Sequence, residues 1–475
     1  MIAFLRRHFR TLLSVALLLS APVLLHLVIG FAARLEAPPV TLPAGEIDTT
    51  GVGLRRFGKS WALEQQKLLV VRLEGTPDEI GYSHARLLYD DMVKNEGILL
   101  ARFREQVPAW PARIALLDLA QFRYRAVDGK MSKERLREIA AGARGFQPDP
   151  YSNVFETYQR FVYLNALYDI ALSFEHSPLI GCTSFVFRPE ATEKRHALLA
   201  RAFDFEVDEI FDDRKAIFLV IEQDRIPFAS VAWPGLVGVV SGMNREGVAL
   251  VVHGGRAGEP SNQGEPVVHA LRRVLGTAKN AREASAALQE REPMVSHIVV
   301  VVDARGDAAV VERVPGKVPH VRWLKGKEVV TNHFLGISAD DPKNQKVREN
   351  TSTIARHRRG EQLLGEIRGP ASVKDAVRLL RDRRGLNGTP LELGDRRAID
   401  ALIATHGVVM DATARTLWVS QSPHLLGRFV ALDLNRLLAP GFDPAAGLGD
   451  VQTLPEDPML LSGDYARFKQ SGRVR

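Results

Sequence analysis

A chain of 475 residues with 45% hydrophobic and 25% charged side chains has material for one large core or two smaller ones, and excludes wholesale disorder. Lys and Arg number 63 against 56 Asp and Glu, a net charge of +7. The basic residues scatter apart from short clusters at Arg356–Arg359 and Arg381–Arg384, which argues against a nucleic-acid-binding face.

The N-terminus places Arg6, Arg7 and Arg10 before an apolar run over residues 11–33, long enough to cross a bilayer as a helix. The sequence favours an uncleaved signal-anchor over residues 1–36, with a cleaved signal peptide and a buried core helix as the alternatives. Under the positive-inside rule the arginines stay cytoplasmic, so the body lies on the periplasmic or extracellular side. Residues 37–66, rich in Pro, Gly and Thr, read as a linker. A strand-like run, KLLVVRLEG, covers residues 67–75, and residues 76–175 carry mostly helical periodicity, with Ile80, Leu87, Leu88 and Met92 on one side.

The character changes at Gly181. Short β-type runs follow: TSFVF, HALLARAF, AIFLVIE, FASVAW, VALVVHGG, SHIVVVVD and AAVVERV, the last two joined by a turn at residues 303–306. Two helical patterns interrupt them near residues 266–276 and 280–291, and a helical region covers residues 343–384, with a capping box at Ser372 and Asp375. A hairpin over residues 407–421 leads into a last strand. Unbroken apolar runs such as IVVVV predict strands covered on both faces, hence a layered α+β body.

Cys182 is the only cysteine. It cannot close an internal disulfide, so it is an inert core residue, an intermolecular bridge or a reactive group. Arg201 and Asp204 lie three apart in a strand-like run, where they point to opposite faces unless the strand bends; alone they read as a surface ion pair. There is no His-Glu-x-x-His and no paired cysteine, and the 13 histidines are dispersed, so no metal or cofactor is expected. Residues 238–242 fail the spacing of a nucleophile elbow, and HGGRAG at residues 253–258 lacks the Lys-Ser/Thr of a phosphate loop and reads as a rim near a site.

Gly-Cys-Thr-Ser at 181–184 with Arg201-x-x-Asp204 resembles the N-terminal nucleophile hydrolases, and more narrowly the acyl-CoA:6-aminopenicillanic acid acyltransferase branch, related to bile-salt hydrolases and penicillin V acylases. The likeness extends to GTPDEIGYSH at 75–84, GMNREGVAL at 242–250, VTNHF at 330–334, TIAR at 353–356 and GVVMDATARTLWVSQSP at 407–423. It implies a four-layer αββα fold, cleavage between Gly181 and Cys182, a helical α-chain or pro-segment over 67–181 and a catalytic β-chain over 182–475. It further implies Cys182 as nucleophile with its own α-amine as base, Arg201 favouring the thiolate, Asp204 holding the amine, Asn244 in the oxyanion hole, Asn332 positioning amine or substrate, and Arg356 completing the polar site. Taken singly, Asn244 and Asn332 also suit turns, and Arg356 a solvated helix face. Ala202 and Ala85 depart from the family's Asn and Gly. The expected partner is a small-molecule amide or acyl substrate, hydrolysed or passed to an amine; a catalytically silent, membrane-tethered binding protein is the competing reading.

Overall fold

A computed structural model describes residues 13–14, 20–173, 180–206 and 208–471. Two sheets stack face to face. The larger has eleven strands in the order β1 (Asp48–Gly51), β2 (Leu54–Phe57), β3 (Ser60–Gln65), β4 (Leu68–Gly75), β7 (Ala216–Glu222), β8 (Phe228–Ala232), β9 (Ser241–Asn244), β10 (Ala249–Gly254), β11 (His297–Val302), β12 (Ala308–Arg313) and β13 (His320–Trp323). The smaller has seven, ordered β14 (Lys327–Val330), β5 (Ile180–Phe187), β6 (Leu198–Phe205), β15 (Ala404–Asp411), β16 (Thr416–Ser420), β17 (Phe429–Asp433) and β18 (Thr453–Leu454). Neighbours are antiparallel except β4 and β7, which run parallel.

The unbroken apolar runs are explained by two-sided burial. Ile298, Val300 and Val302 of β11 meet Val186 and Leu199 between the sheets, whereas Val299 and Val301 pack outward against a helical layer. In chain order the helices are α1 (residues 20–32), α2 (Pro77–Leu87), α3 (Tyr89–Gln106), α4 (Trp110–Tyr124), α5 (Lys133–Gly145), α6 (Thr157–Asn165), α7 (Leu167–Leu172), short α8 (Ile210–Asp213), α9 (Val267–Leu275), α10 (Ala281–Gln289), α11 (Pro342–Asn350), α12 (Thr353–Glu366), α13 (Val373–Leu380) and the short α14 (Leu434–Leu437), α15 (Pro458–Leu461) and α16 (Asp464–Gln470). The layer formed by α2, α5, α6, α9 and α10 covers the larger sheet; α12 and α13 cover the smaller one, where Phe185, Phe187, Leu198 and Ala200 meet Leu363, Leu364 and Leu379. This is the expected α+β arrangement of helices outside two stacked sheets.

One expectation needs correction. Residues 37–66 are not simply a linker: β1, β2 and β3 extend the large sheet, turning at Gly53 and Gly58, whose positive φ values suit glycine. The helical run after residue 76 breaks at Leu88, although Ile80, Leu87, Leu88 and Met92 are all buried as predicted. Gly81 explains the Gly-Tyr-Ser-His motif: a Cβ there would lie 1.9 Å from the Glu138 carbonyl oxygen, so only glycine lets α2 and α5 pack this closely. The predicted transmembrane helix falls partly on residues 11–12 and 15–19, outside the described residues. Among the described residues no helix is long and apolar enough to cross a membrane.

Candidate functional site

Strands β5 and β6 pair with Cys182 opposite Phe203, Gly181 opposite Asp204 and Ser184 opposite Arg201. Alternation then sends Cys182, Arg201 and Phe203 toward the other sheet and Asp204 to the opposite face. No turn is needed to bring Arg201 and Asp204 to one residue. They approach Cys182 from two sides of the same strand pair.

On the inner side, Arg201 Nη2 donates to Cys182 Sγ at 3.1 Å and to the Val252 carbonyl at 2.6 Å. Its Nη1 donates to the Val240 carbonyl at 2.7 Å and to Ser241 Oγ. Ser241 in turn is hydrogen-bonded to His406 Nε2 at 2.9 Å, and the guanidinium lies 4.1 Å from the centre of the Phe203 ring. Burial, then the Arg201 charge, holds His406 and His253 well below the usual histidine range, so both are neutral.

On the other side, the Cys182 backbone N–H donates to Asn332 Oδ1 at 2.9 Å. Arg356 Nη1 donates to the Cys182 carbonyl at 2.6 Å and to Thr183 Oγ1 at 2.8 Å, and its Nη2 to Asn332 Oδ1 at 2.9 Å. The Asn332 Nδ2 is committed to the Gly254 carbonyl at 2.9 Å, and its backbone N–H to Thr353 Oγ1 at 2.9 Å. The hydroxyl three residues before Arg356 therefore orients Asn332, and Arg356 is a buried member of the site rather than part of a solvated face. Asp204 lies beside Gly181: a Cβ at 181 would stand 3.1 Å from its Oδ2. Its Oδ1 has no partner among the described residues. Burial raises the Asp204 carboxyl, with the Arg356 charge opposing.

The Cys182 side chain is fully buried in the uncut chain. Burial pushes its thiol up, while the charge and hydrogen bond of Arg201 pull it down. Asn244 is a correction. Its Nδ2 donates to the Leu275 and Ala278 carbonyls at 2.9 and 2.8 Å, and its Oδ1 accepts from the Glu246 and Val248 N–H groups. Every polar position of this amide is spent on the β9–β10 turn and the end of α9, so it has no donor for an oxyanion hole. Sequence reasoning missed Phe203, Ser241 and His406 as the frame of Arg201; a lone Ser or His inside an apolar run carries no signal of that role.

Two cavities flank the strand pair. One of about 850 Å³ is lined by Gly181, Asp204, Gly254, Gly255, Asn332 and Arg356, so HGGRAG does border the site. The other, of about 260 Å³, is walled largely by apolar residues, among them Leu99, Phe103, Tyr168, Phe203 and Trp233.

Residues 191–391 match the model of the acyl-coenzyme A:6-aminopenicillanic acid acyl-transferase family. The central segment carries this family's pattern. An uncharacterised protein of Archaeoglobus fulgidus is 31% identical over 198 residues, which are 38% of this chain and 32% of that protein, so the chain spans about a third of that relative's length. Solved structures that resemble the chain include the Caenorhabditis elegans ortholog of N-acylethanolamine-hydrolyzing acid amidase, at 14% identity and a TM-score of 0.37 over 49% of this chain and 93% of that one. Penicillin V acylase from Agrobacterium tumefaciens follows at 18% and 0.34, over 53% and 92%. A mutant of conjugated bile acid hydrolase from Clostridium perfringens stands at 11% and 0.36, over 58% and 97%. The segment that matches the family carries Arg201, Asp204, Asn244, Asn332 and Arg356, while Cys182 lies upstream of it.

Proposed function

We propose that the protein is an N-terminal-nucleophile amidohydrolase acting through Cys182. The observation that carries this reading is the convergence on one residue: a guanidinium 3.1 Å from the sulfur, with Asn332 and Arg356 holding the backbone of the same cysteine. In the first step Sγ attacks the Gly181 carbonyl and the C–N bond breaks, leaving a thioester and a free amine. Water then hydrolyses the thioester, releasing the Gly181 carboxylate and regenerating the thiol. A freed α-amine has a pKa near about 8, so it takes the thiol proton at neutral pH and nucleophile and base share one residue. In turnover, Sγ attacks the substrate amide carbonyl, the proton passes through the α-amine to the departing amine, and water releases the acid from the acyl-thioester. Arg201 favours the thiolate, and Asp204, beside the scissile glycine, orients the amine. The apolar chamber behind Phe203 suits an apolar acyl group. Transfer of the acyl group to a second amine is the variant of the same chemistry. The expected anchor over residues 11–33, with the body outside the cytoplasm, belongs to this proposal; the exposed Val23, Leu24, Leu27 and Phe31 of α1 support it.

Complete burial of Cys182 in the uncut chain favours a second reading, a silent binding protein. Intact mass, denaturing gels and amidase assays of wild type and Cys182→Ala decide between them. Two fragments and turnover in wild type, both lost in the variant, are expected. An uncut wild type, or full activity in Cys182→Ala, overturns the proposal.

A further inference from the structure

Helix α4 is built inside out. A surface helix in water buries its apolar stripe and exposes its polar one. Here the buried residues are Asp118, Gln121 and Tyr124, while Trp110, Leu116, Leu119 and Phe122 are 41–66% exposed. Leu116, Leu119 and Phe122 recur at steps of three and form one outward stripe with Ala112 and Ala115. Two residues of the inward polar face have partners: Asp118 Oδ1 is 2.8 Å from His26 Nδ1 of α1, and the Tyr124 hydroxyl is 2.5 Å from Ser173 Oγ. The arrangement is thus specified by polar contacts inside and left uncovered outside.

We propose that this face of α4 lies on a lipid bilayer bearing anionic headgroups. Three observations select lipid over a second copy of the chain. First, α4 is joined to α1 on its inward side through His26 and Asp118, and α1 itself exposes Val23, Leu24, Leu27, Val28 and Phe31. The chain preceding α1 continues the apolar run and carries Arg6, Arg7 and Arg10. Second, Arg102 is paired with Glu105 and Asp208 and Asp118 is buried, which leaves Arg104, Arg113, Arg123 and Arg125 as the basic residues over 102–125. A basic rim around an apolar stripe complements anionic headgroups and repels its own copy. Third, Trp110 opens the helix, where an indole suits the headgroup level. At 15 residues α4 is too short to span about 30 Å of hydrocarbon, so it lies in the membrane plane. Arg123 also lines the cavity beside Gly181, so a bilayer on this face reaches the rim of the candidate site.

The inference stands apart from the chemistry at Cys182 and goes beyond a single N-terminal anchor. Its test uses the full chain with Cys182→Ala, which leaves no native cysteine, and an environment-sensitive dye on Leu119→Cys or, as control, on exposed Lys374→Cys. Vesicles of phosphatidylcholine and phosphatidylglycerol at a ratio of about 3:1 supply the surface. At position 119 the dye should brighten about twofold or more and be quenched by spin-labelled lipid, with no change at 374. Leu116→Glu with Phe122→Glu should abolish the response at 119. A silent dye at 119 on protein that floats with the vesicles leaves only α1 on the membrane and overturns the proposal. So do absence of flotation, equal responses at both positions, and brightening without vesicles that rises with protein concentration, which marks a second copy as the occupant.

Discussion

Two clusters in this molecule bury a pair of arginines, and they spend the charge differently. Arg135 and Arg272 are matched by Glu138 and Glu222: Arg272 Nη1 lies 2.8 Å from Glu138, Nη2 3.3 Å from Glu222, and Arg135 contacts both carboxylates. That cluster is neutral and bolts α5 to β7 and α9. Arg201 and Arg356 have one carboxylate nearby, Asp204, and direct their donors instead at carbonyl oxygens, at Asn332 and at sulfur. With a neutral thiol this second cluster holds an excess positive charge, and a thiolate cancels it. Balanced charge serves cohesion; in the proposed chemistry, unbalanced charge held rigid by carbonyls would meet the anion that forms.

The contrast can be broken by substitution. Cys182→Ala should leave a single uncut chain and reduce amidase turnover by about a thousandfold or more, with the melting temperature nearly unchanged, since nucleophile and base vanish together. Glu138→Ala should cost about 3–5 kcal/mol of stability, read by denaturant unfolding, because two buried guanidinium groups are left sharing the single carboxylate of Glu222. Surviving folded enzyme should keep its kcat. Arg201→Met should do the reverse: a rate loss of about 100–1,000-fold, a higher thiol pKa in alkylation-rate profiles, and stability unchanged or raised. If Arg201→Met destabilises as much as Glu138→Ala, the two clusters are not different in kind. Asn244→Ala should lower stability by about 1–3 kcal/mol through orphaned backbone groups, with kcat of the folded enzyme intact.

A further effect concerns pH. Asp169 of α7 accepts the Val267 N–H at the start of α9, and burial raises its carboxyl to about 8. A carboxyl that binds its proton more tightly when folded contributes stability that is full below about pH 4 and lost as pH rises to about 8. Asp169→Asn keeps an acceptor and should flatten the fall in melting temperature between pH 5 and pH 8.

The layered body was legible because IVVVV and AIFLVIE lack two-residue alternation, which only two-sided burial explains. Cys182, Arg201, Asp204, Asn332 and Arg356 gather as their motifs imply, and Thr353 does so as well. Asn244 was misread because GMNREG is a turn-building pattern: an asparagine whose side chain accepts from residues two and four ahead looks, in sequence, the same as one aimed at substrate. Strands β1 to β3 were hidden by Pro and Gly content, although Leu54, Phe57, Trp61 and Leu63 carry the burial. Position 201 needs Ser241 and His406 from different strands, and no local pattern records a partnership across 165 residues.

The parallel pairing of β4 with β7 has a further consequence. Everything upstream of residue 182 supplies four consecutive strands to a sheet whose remaining seven come from downstream. A nick before Cys182 therefore yields two polypeptides but one particle, sharing a continuous hydrogen-bonded ladder. Size-exclusion under native conditions and gels under denaturing ones should disagree about its mass.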